Sequence, residues 1–262
     1  MSEVIVITSG KGGVGKTTTT ANLGVGLAIR GKKVVLIDTD TGLRNLDLLL
    51  GLERRIVYTL VDVVQKRVNY GQALVRHKKY TNLFLLPTSQ VADKTAIDPE
   101  QMKELVETMK SEFDYILIDC PAGIEQGFET AVIGADWAIV VTNPEIAAVR
   151  DADKIIGKLQ AANKEIKLVV NRIRPQMVKD GTMLDMTAID DILSLECIGQ
   201  VPDDDKVVDS ANRGVPVVES KDSIAGDAYR DIVGRVCGED IPFRDLAPET
   251  FLQRLKKRLF KG

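Results

Sequence analysis

Gly10-Lys11-Gly12-Gly13-Val14-Gly15-Lys16-Thr17 follows directly on the apolar run Val4-Ile5-Val6-Ile7. The stretch meets the P-loop spacing G-x-x-x-x-G-K-[ST] and carries a second lysine, Lys11. Glycines let consecutive backbone N–H groups turn inward around phosphates, and a helix starting near Lys16 adds the positive end of its dipole. Gly10 to Thr18 then form a phosphate cradle: Gly10, Lys11, Gly12, Gly13, Val14, Gly15, Lys16, Thr17 and Thr18. Lys16 reaches the outer phosphates and the Thr17 hydroxyl is positioned to ligate Mg²⁺. The alternative is a glycine-rich turn with no ligand, and the strand, turn and helix context argues against it.

Outward from this motif, short Val- and Ile-rich runs alternate with helical patterns, which predicts an α/β fold with a mostly parallel central sheet and helices on both faces. Strands are expected at 4–8, 34–38, 83–86, 115–119, 138–142, 168–171 and 198–201. Helices are expected to begin near Lys16, Pro99, Ile146, Thr182 and Asp203, with another from about Ser223 to Cys237. Asp98-Pro99 is a start signal, with aspartate at the cap and proline in the first helical position. The 262 residues, 44% hydrophobic and 28% charged, can bury one full core. A boundary near Gly238 divides an ATPase domain, 1–240, from a flexible linker and tail, 241–262.

A net charge of −3 argues against uniform, charge-driven nucleic-acid binding. Cys120, Cys197 and Cys237 are odd in number and lack metal-ligand spacing, so they read as reduced thiols packed in or near the core. Met1-Ser2-Glu3 leads straight into the first strand without a signal-peptide pattern, and no export is expected. No run approaches the roughly 18 apolar residues of a membrane span. His77 stands beside Arg76, Lys78 and Lys79 and is expected on a solvated basic turn, not in a catalytic role.

Ligands of such sheets sit at the carboxyl ends of the strands. Asp119 follows Tyr115-Ile116-Leu117-Ile118, the Walker B pattern of a carboxylate held at a strand tip to orient Mg²⁺ directly or through water. Gly123, four residues on, offers a backbone N–H that can sense the γ-phosphate. Asp38 and Asp40 both approach this region. Asp40, farther into the loop, is the candidate for positioning and polarising water, and Asp38 for the metal shell or for supporting Thr17. The loop continuing through 42–47 is a candidate to order around the nucleotide. Lys11 lies on the outer rim of a loop that already surrounds its own ligand, so its ammonium is placed to meet the phosphates of a second subunit, like an arginine finger supplied in trans. The bland alternative is a solvated surface lysine.

The motif K-G-G-x-G-K-[ST], matched by Lys11 to Thr17, resembles that of the deviant Walker A ATPases, the MinD/ParA family of P-loop proteins. The resemblance extends to 38–47, 119–125, 142–145 and the tail; the block Asp38-Thr39-Asp40-Thr41-Gly42-Leu43-Arg44-Asn45-Leu46-Asp47 is more specific than any P-loop and points to the branch that places bacterial division inhibitors. It implies ATP and Mg²⁺ as cofactors, Lys16 and Thr17 at the phosphates and metal, Lys11 on a partner's nucleotide in a sandwich homodimer, and Asp40 on the water. For adenine it implies Asn171-Arg172 after one strand and Pro202-Asp203-Asp204 after the next. Arg150-Asp151-Ala152-Asp153 matches a segment near the dimer and partner surface; as sequence alone it is also an ordinary charged helix face. The implied partners are a MinC-like division inhibitor, a MinE-like activator and anionic membrane lipids, with slow hydrolysis until an activator binds. The implied location is cytoplasmic, peripherally on the inner face of the cell membrane.

On a helix, Phe251, Leu252, Leu255 and Leu259 of the tail form one stripe, with Phe260 at its edge and Arg254, Lys256, Lys257, Arg258 and Lys261 mainly elsewhere. That is an interfacial pattern; docking on the protein's own core or contacting nucleic acid competes with it, and the resemblance favours the membrane. Each cation near an anionic leaflet contributes ~1 kcal/mol, so one tail binds weakly and two tails in a dimer far better. A ParA-like DNA-segregation ATPase is the main alternative function, disfavoured by the tail and the acidic balance. An iron-sulfur reductase is a different class; Cys120 follows Asp119, but no second cysteine stands beside another switch loop, so no cluster is expected.

Overall fold

Eight strands form one sheet in the order β3-β4-β2-β5-β1-β6-β7-β8. They are β1 (Glu3–Thr8), β2 (Val34–Asp38), β3 (Val75–Arg76), β4 (Leu83–Leu86), β5 (Tyr115–Asp119), β6 (Trp137–Thr142), β7 (Glu165–Ile173) and β8 (Glu196–Pro202). The computed structural model describes residues 2–40, 45–89, 97–124 and 127–246. The helices are α1 (Lys16–Ile29), α2 (Leu46–Leu49), α3 (Leu60–Val64), α4 (Tyr70–Ala73), α5 (Pro99–Met109), α6 (Phe128–Val132), α7 (Ile146–Ala161), α8 (Pro175–Lys179), α9 (Met186–Leu193), α10 (Asp205–Asn212) and α11 (Ile224–Val236). All described pairings are parallel except β3 with β4.

Successive strand residues face opposite sides, so the apolar runs feed two cores. Val4, Val6, Val35, Ile37, Ile116 and Ile118 face one, built with α3, α5, α6, α7 and α9. Ile5, Ile7, Leu36 and Leu117 face the other, built with α1 and α11. Both faces are therefore covered, which is why the central strands read as unbroken hydrophobic runs.

The expected strands are all present, with β6, β7 and β8 longer than their apolar centres. β7 runs through register shifts at Leu168/Val169 and between Val170 and Ile173, and Ile173 still pairs with Pro202. Asn171 and Arg172 therefore lie within the strand's irregular end, not after it, and Arg172 takes a left-handed backbone with φ 57°. The helix expected from Thr182 begins at Met186, because the Asp185 side chain caps it by accepting from Ala188 N at 2.8 Å. Pro175 starts a separate short helix ahead of it. Asp204, not Asp203, caps α10.

His77 corrects an expectation. It is buried, at 7% exposure, and its Nδ1 accepts from the backbone N–H groups of Lys79 and Tyr80, both at 3.2 Å. Its ring stacks on Tyr80, and burial pushes its pKa down. The lysines around it project to solvent while the imidazole ties the turn, a role that local charge in the sequence conceals. The three cysteines are free: Cys120 is buried, and Cys197 and Cys237 are half-buried.

After α11 the chain stays attached through its last described residues. The Arg235 guanidinium donates to Ile241 O at 2.9 Å and Pro242 O at 3.1 Å and lies 4.1 Å from the Phe243 ring centroid. Arg244 pairs with Asp231 and Asp227, and Leu246 packs against the core that includes α7 and α9. The amphipathic tail proper, 248–262, lies outside the described residues.

Candidate nucleotide site

Gly15 caps α1 in a left-handed conformation, φ 101°, and Gly13 has φ 83°. The loop they shape is held tightly on two sides. A Cβ at Gly10 would stand 2.1 Å from the Asp151 carbonyl carbon of α7, and one at Gly15 would stand 2.1 Å from Asn171 Nδ2. Asn171 Nδ2 donates to Val14 O at 2.8 Å, and the Asn143 amide, turned to donate, reaches Val14 O at 3.1 Å and Asn171 O at 3.2 Å. Gly12 and Gly13 face open space instead. The loop is thus anchored at its ends and open at its crest, the shape backbone N–H groups need to surround an anion.

The two P-loop lysines point to different environments. Lys16 is 7% exposed, and its Nζ lies 3.2 Å from Asp119 Oδ1 and 3.3 Å from Thr17 Oγ1. Burial opposes its charge, but Asp119 and Asp40 outweigh that and hold the ammonium above its ordinary pKa. Lys11 stands on the surface, with its Nζ 4.0 Å from Glu145 Oε2 and both side chains about half exposed. So loose an exposed pair contributes little, and Lys11 can leave it at small cost.

Parallel pairing of β2 with β5 sets Asp38 directly beside Asp119. Asp119 Oδ1 also accepts from Thr20 Oγ1 at 3.0 Å, while its backbone carbonyl accepts from Thr39 Oγ1 at 2.7 Å. Asp38 Oδ1 accepts from Asp40 N at 3.0 Å, but its buried Oδ2 has no hydrogen-bond partner among the described residues. Burial first, and Asp119 second, push the Asp38 carboxyl well above the usual range. An orphaned buried carboxylate oxygen beside a second carboxylate and a half-buried Thr17 suits a divalent cation. Among the described residues no cluster of three or more His, Cys, Asp or Glu makes a closed metal cage. Phosphate oxygens and water would complete the shell, as Mg²⁺ usually requires.

Gly123 N–H, the expected phosphate sensor, donates to Ser9 O at 2.9 Å. That bond links the Walker B loop to the base of the P-loop and must break before the N–H can turn to a phosphate. Cys120, behind it, is fully buried with its thiol pushed up to about 12, the opposite of an activated ligand. Thr41, Gly42, Leu43, Arg44 and Glu125 lie outside the described residues.

At the other end, Asn171 is already bound to the P-loop. Asp203 Oδ2 accepts from Arg174 Nε at 2.7 Å. Asp204 accepts from Lys206 N, Ser223 Oγ and Ala225 N at 3.0, 2.6 and 3.2 Å; burial raises its pKa, and these bonds outweigh it and hold it low. Arg172 is exposed and lines a cavity of about 550 Å³ with Glu145, Arg174 and Met183. Arg150 and Asp153 are exposed on α7, and Ala152 is buried. The sequence assigns no individual role to Thr20, Thr39 or Asn143, although Thr39 and Asn143 fall within the stretches 38–47 and 142–145. Thr20 had a signal, since it stands one helical turn beyond Lys16 on the same face; the other two become visible only once β5 and β7 are placed beside the loop.

Residues 2–172 match the AAA_31 family, described as an AAA domain. The septum site-determining protein MinD of Synechocystis is 55% identical over the whole of both chains. The structure is similar to MinD in a MinC:MinD cell division complex from Aquifex aeolicus, at a TM-score of 0.88 and 51% identity over 93% of this chain and 99% of that one. It is also similar to MinD of Pyrococcus horikoshii, solved with Mg-ADP, at 0.81 and 32% over 90% and 96%.

Proposed function

The chain belongs to the MinD family of septum site-determining ATPases, and from that premise we propose that it is a nucleotide-driven switch at the inner face of the cell membrane. ATP and Mg²⁺ occupy the strand-tip site, two subunits close on each other, and the paired tails hold the dimer on anionic lipid while it positions a MinC-like division inhibitor. A MinE-like activator then triggers hydrolysis, which is slow without it. The solved MinC:MinD complex supports the inhibitor as partner, and the Mg-ADP bound to the Pyrococcus protein supports the cofactors.

The observation that carries this reading is the division of the two lysines. Lys16 is buried and poised to swing from Asp119 to the outer phosphates of its own nucleotide. Lys11 is exposed on the rim beside a weak partner, free to reach the nucleotide of a second subunit. Thr17, Asp38 and Asp119 would hold Mg²⁺, which when bound would supply neutralising charge; Asp38 Oδ2, unpartnered among the described residues, has lone pairs for it. Asp40 orients and polarises the attacking water, and the two lysines stabilise charge on the transferred group. Thr18, Asn171, Arg172, Pro202, Asp203 and Asp204 frame the remainder of the nucleotide, Asn171 by shaping the loop and Arg172 from the open cavity.

Co-sedimentation of the full chain with anionic liposomes, without nucleotide, with ADP and with ATP, tests the reading. Retention is expected with ATP alone. Retention on duplex DNA but not on liposomes would favour the ParA-like alternative instead.

A further inference from the structure

Away from the P-loop, an apolar cavity of about 300 Å³ opens between the ends of β7 and β8 and the short helices α8 and α9. Val170, Ile173, Val178, Leu184 and Met186 supply its apolar wall. Leu246 also lines it, carried there by the segment that Arg235, Asp231 and Asp227 pin beside α11. The chain therefore leaves the described residues at the mouth of an apolar cavity, with 247–262 still to come. The five-residue step from Leu246 to Phe251 can reach at most about 18 Å, so a short tether keeps the tail's apolar stripe at high effective concentration beside this cavity.

We propose that the cavity is the lipid-free seat of the chain's own tail, receiving side chains of the stripe Phe251, Leu252, Leu255 and Leu259. The regulatory part of this proposal rests on reading that stripe as the membrane anchor. Docking and membrane insertion then compete for the same side chains, so the tail is either in its seat or in the bilayer. The nucleotide site touches the seat through one turn. Pro144 lines both this cavity and the one beside Arg172, and its carbonyl accepts from Leu184 N at 3.2 Å. The next residue is Glu145, the partner of Lys11, and α7 then begins, with the backbone of Asp151 against Gly10. A second subunit closing on this rim presses on a wall of the seat and releases the tail.

The test is Phe251→Trp in the full chain, with the signal of Trp137, the only native tryptophan, subtracted from the parent. In lipid-free buffer without nucleotide, the introduced indole should emit to the blue of a solvent-exposed one and resist acrylamide quenching. Adding Val178→Glu should shift the emission to the red and raise the quenching constant at least twofold, with circular dichroism and ATP binding checking that the variant is folded. Should that variant not fold, quenching of Phe251→Trp alone decides: a constant equal to that of a free tryptophan peptide overturns the proposal. Protection that grows with protein concentration would assign the tail to a second copy and overturn it too. With phosphatidylglycerol vesicles and no ATP, Val178→Glu should bind severalfold more than the parent. If neither binds vesicles even with ATP and Mg²⁺ present, while the introduced indole stays protected in buffer, the anchor reading fails and the seat stands.

Discussion

The phosphate end and the base end of the candidate site are built from the same kind of strand tips but stand in opposite states of satisfaction. At the phosphate end, β2 and β5 set Asp38 beside Asp119 with one buried lysine near them, and Asp38 Oδ2 has no partner among the described residues. At the base end, β7 and β8 bring Asn171, Asp203 and Asp204, and each side chain is engaged by the protein itself. Buried polar groups are nearly always paired, so of the carboxylates compared at the two ends, the one left unpartnered among the described residues, Asp38, marks where an external partner is owed. The electrostatic demand therefore lies at the phosphate end, while the base end contributes shape, a left-handed Arg172 and an open cavity.

Lys16→Ala should have the largest effect, because it takes the buried cation from between carboxylates and phosphates. ATP turnover is expected to fall by about 10²–10³-fold, as measured by phosphate release. A variant within threefold of wild type would remove the phosphate end from the chemistry. Asp40→Ala should lower turnover by about 10²-fold while leaving ATP affinity, measured by calorimetry, within a few fold. Loss of affinity in proportion to turnover would make Asp40 a binding residue instead.

Asp204→Ala probes the contrasting end. It removes a helix cap and the link to Ser223 and Ala225, so it should cost about 1–2 kcal/mol of stability in urea unfolding with less than threefold effect on ATP affinity. Because its folded pKa is lowered, that stability is present at neutral pH and is lost as pH falls through the carboxylate range. A large loss of affinity with unchanged stability would mean that the carboxylate serves the base directly. Asp38→Asn should have the smallest effect and the opposite sign. Its raised pKa means that the folded state favours the proton, so ionised Asp38 loses stability as pH rises through its folded value. The variant should be more stable than the parent at neutral pH by on the order of 1 kcal/mol, with the gain shrinking in acid and Mg²⁺ affinity weakened. Equal stability at every pH would show that Asp38 is not strained.

The same contrast explains what the sequence made legible. The phosphate end is written in contiguous motifs, since Gly13, Gly15, Lys16 and Thr17 act through local backbone geometry and Asp119 through its place at a strand end. The apolar runs likewise placed every long strand of the sheet. The base end depends on contacts across the fold: Asn171 reaches Val14 from 157 positions away, and Asp204 reaches Ser223 across 19. Periodicity could not expose the two-residue β3, nor α2, α4 and α8, which are too short to show a pattern. For His77, the charge of its neighbours says nothing about where the ring points.

Two lysines in one loop, one turned inward and one outward, make the division between cis and trans contacts directly measurable. Sedimentation velocity of Lys11→Ala with ATP and Mg²⁺, alongside calorimetry on the same sample, separates them. The expected result is a monomer that still binds ATP within a few fold of wild type, because Lys16 and the loop are intact. An ATP-dependent dimer as strong as that of the wild type would contradict the trans role of Lys11.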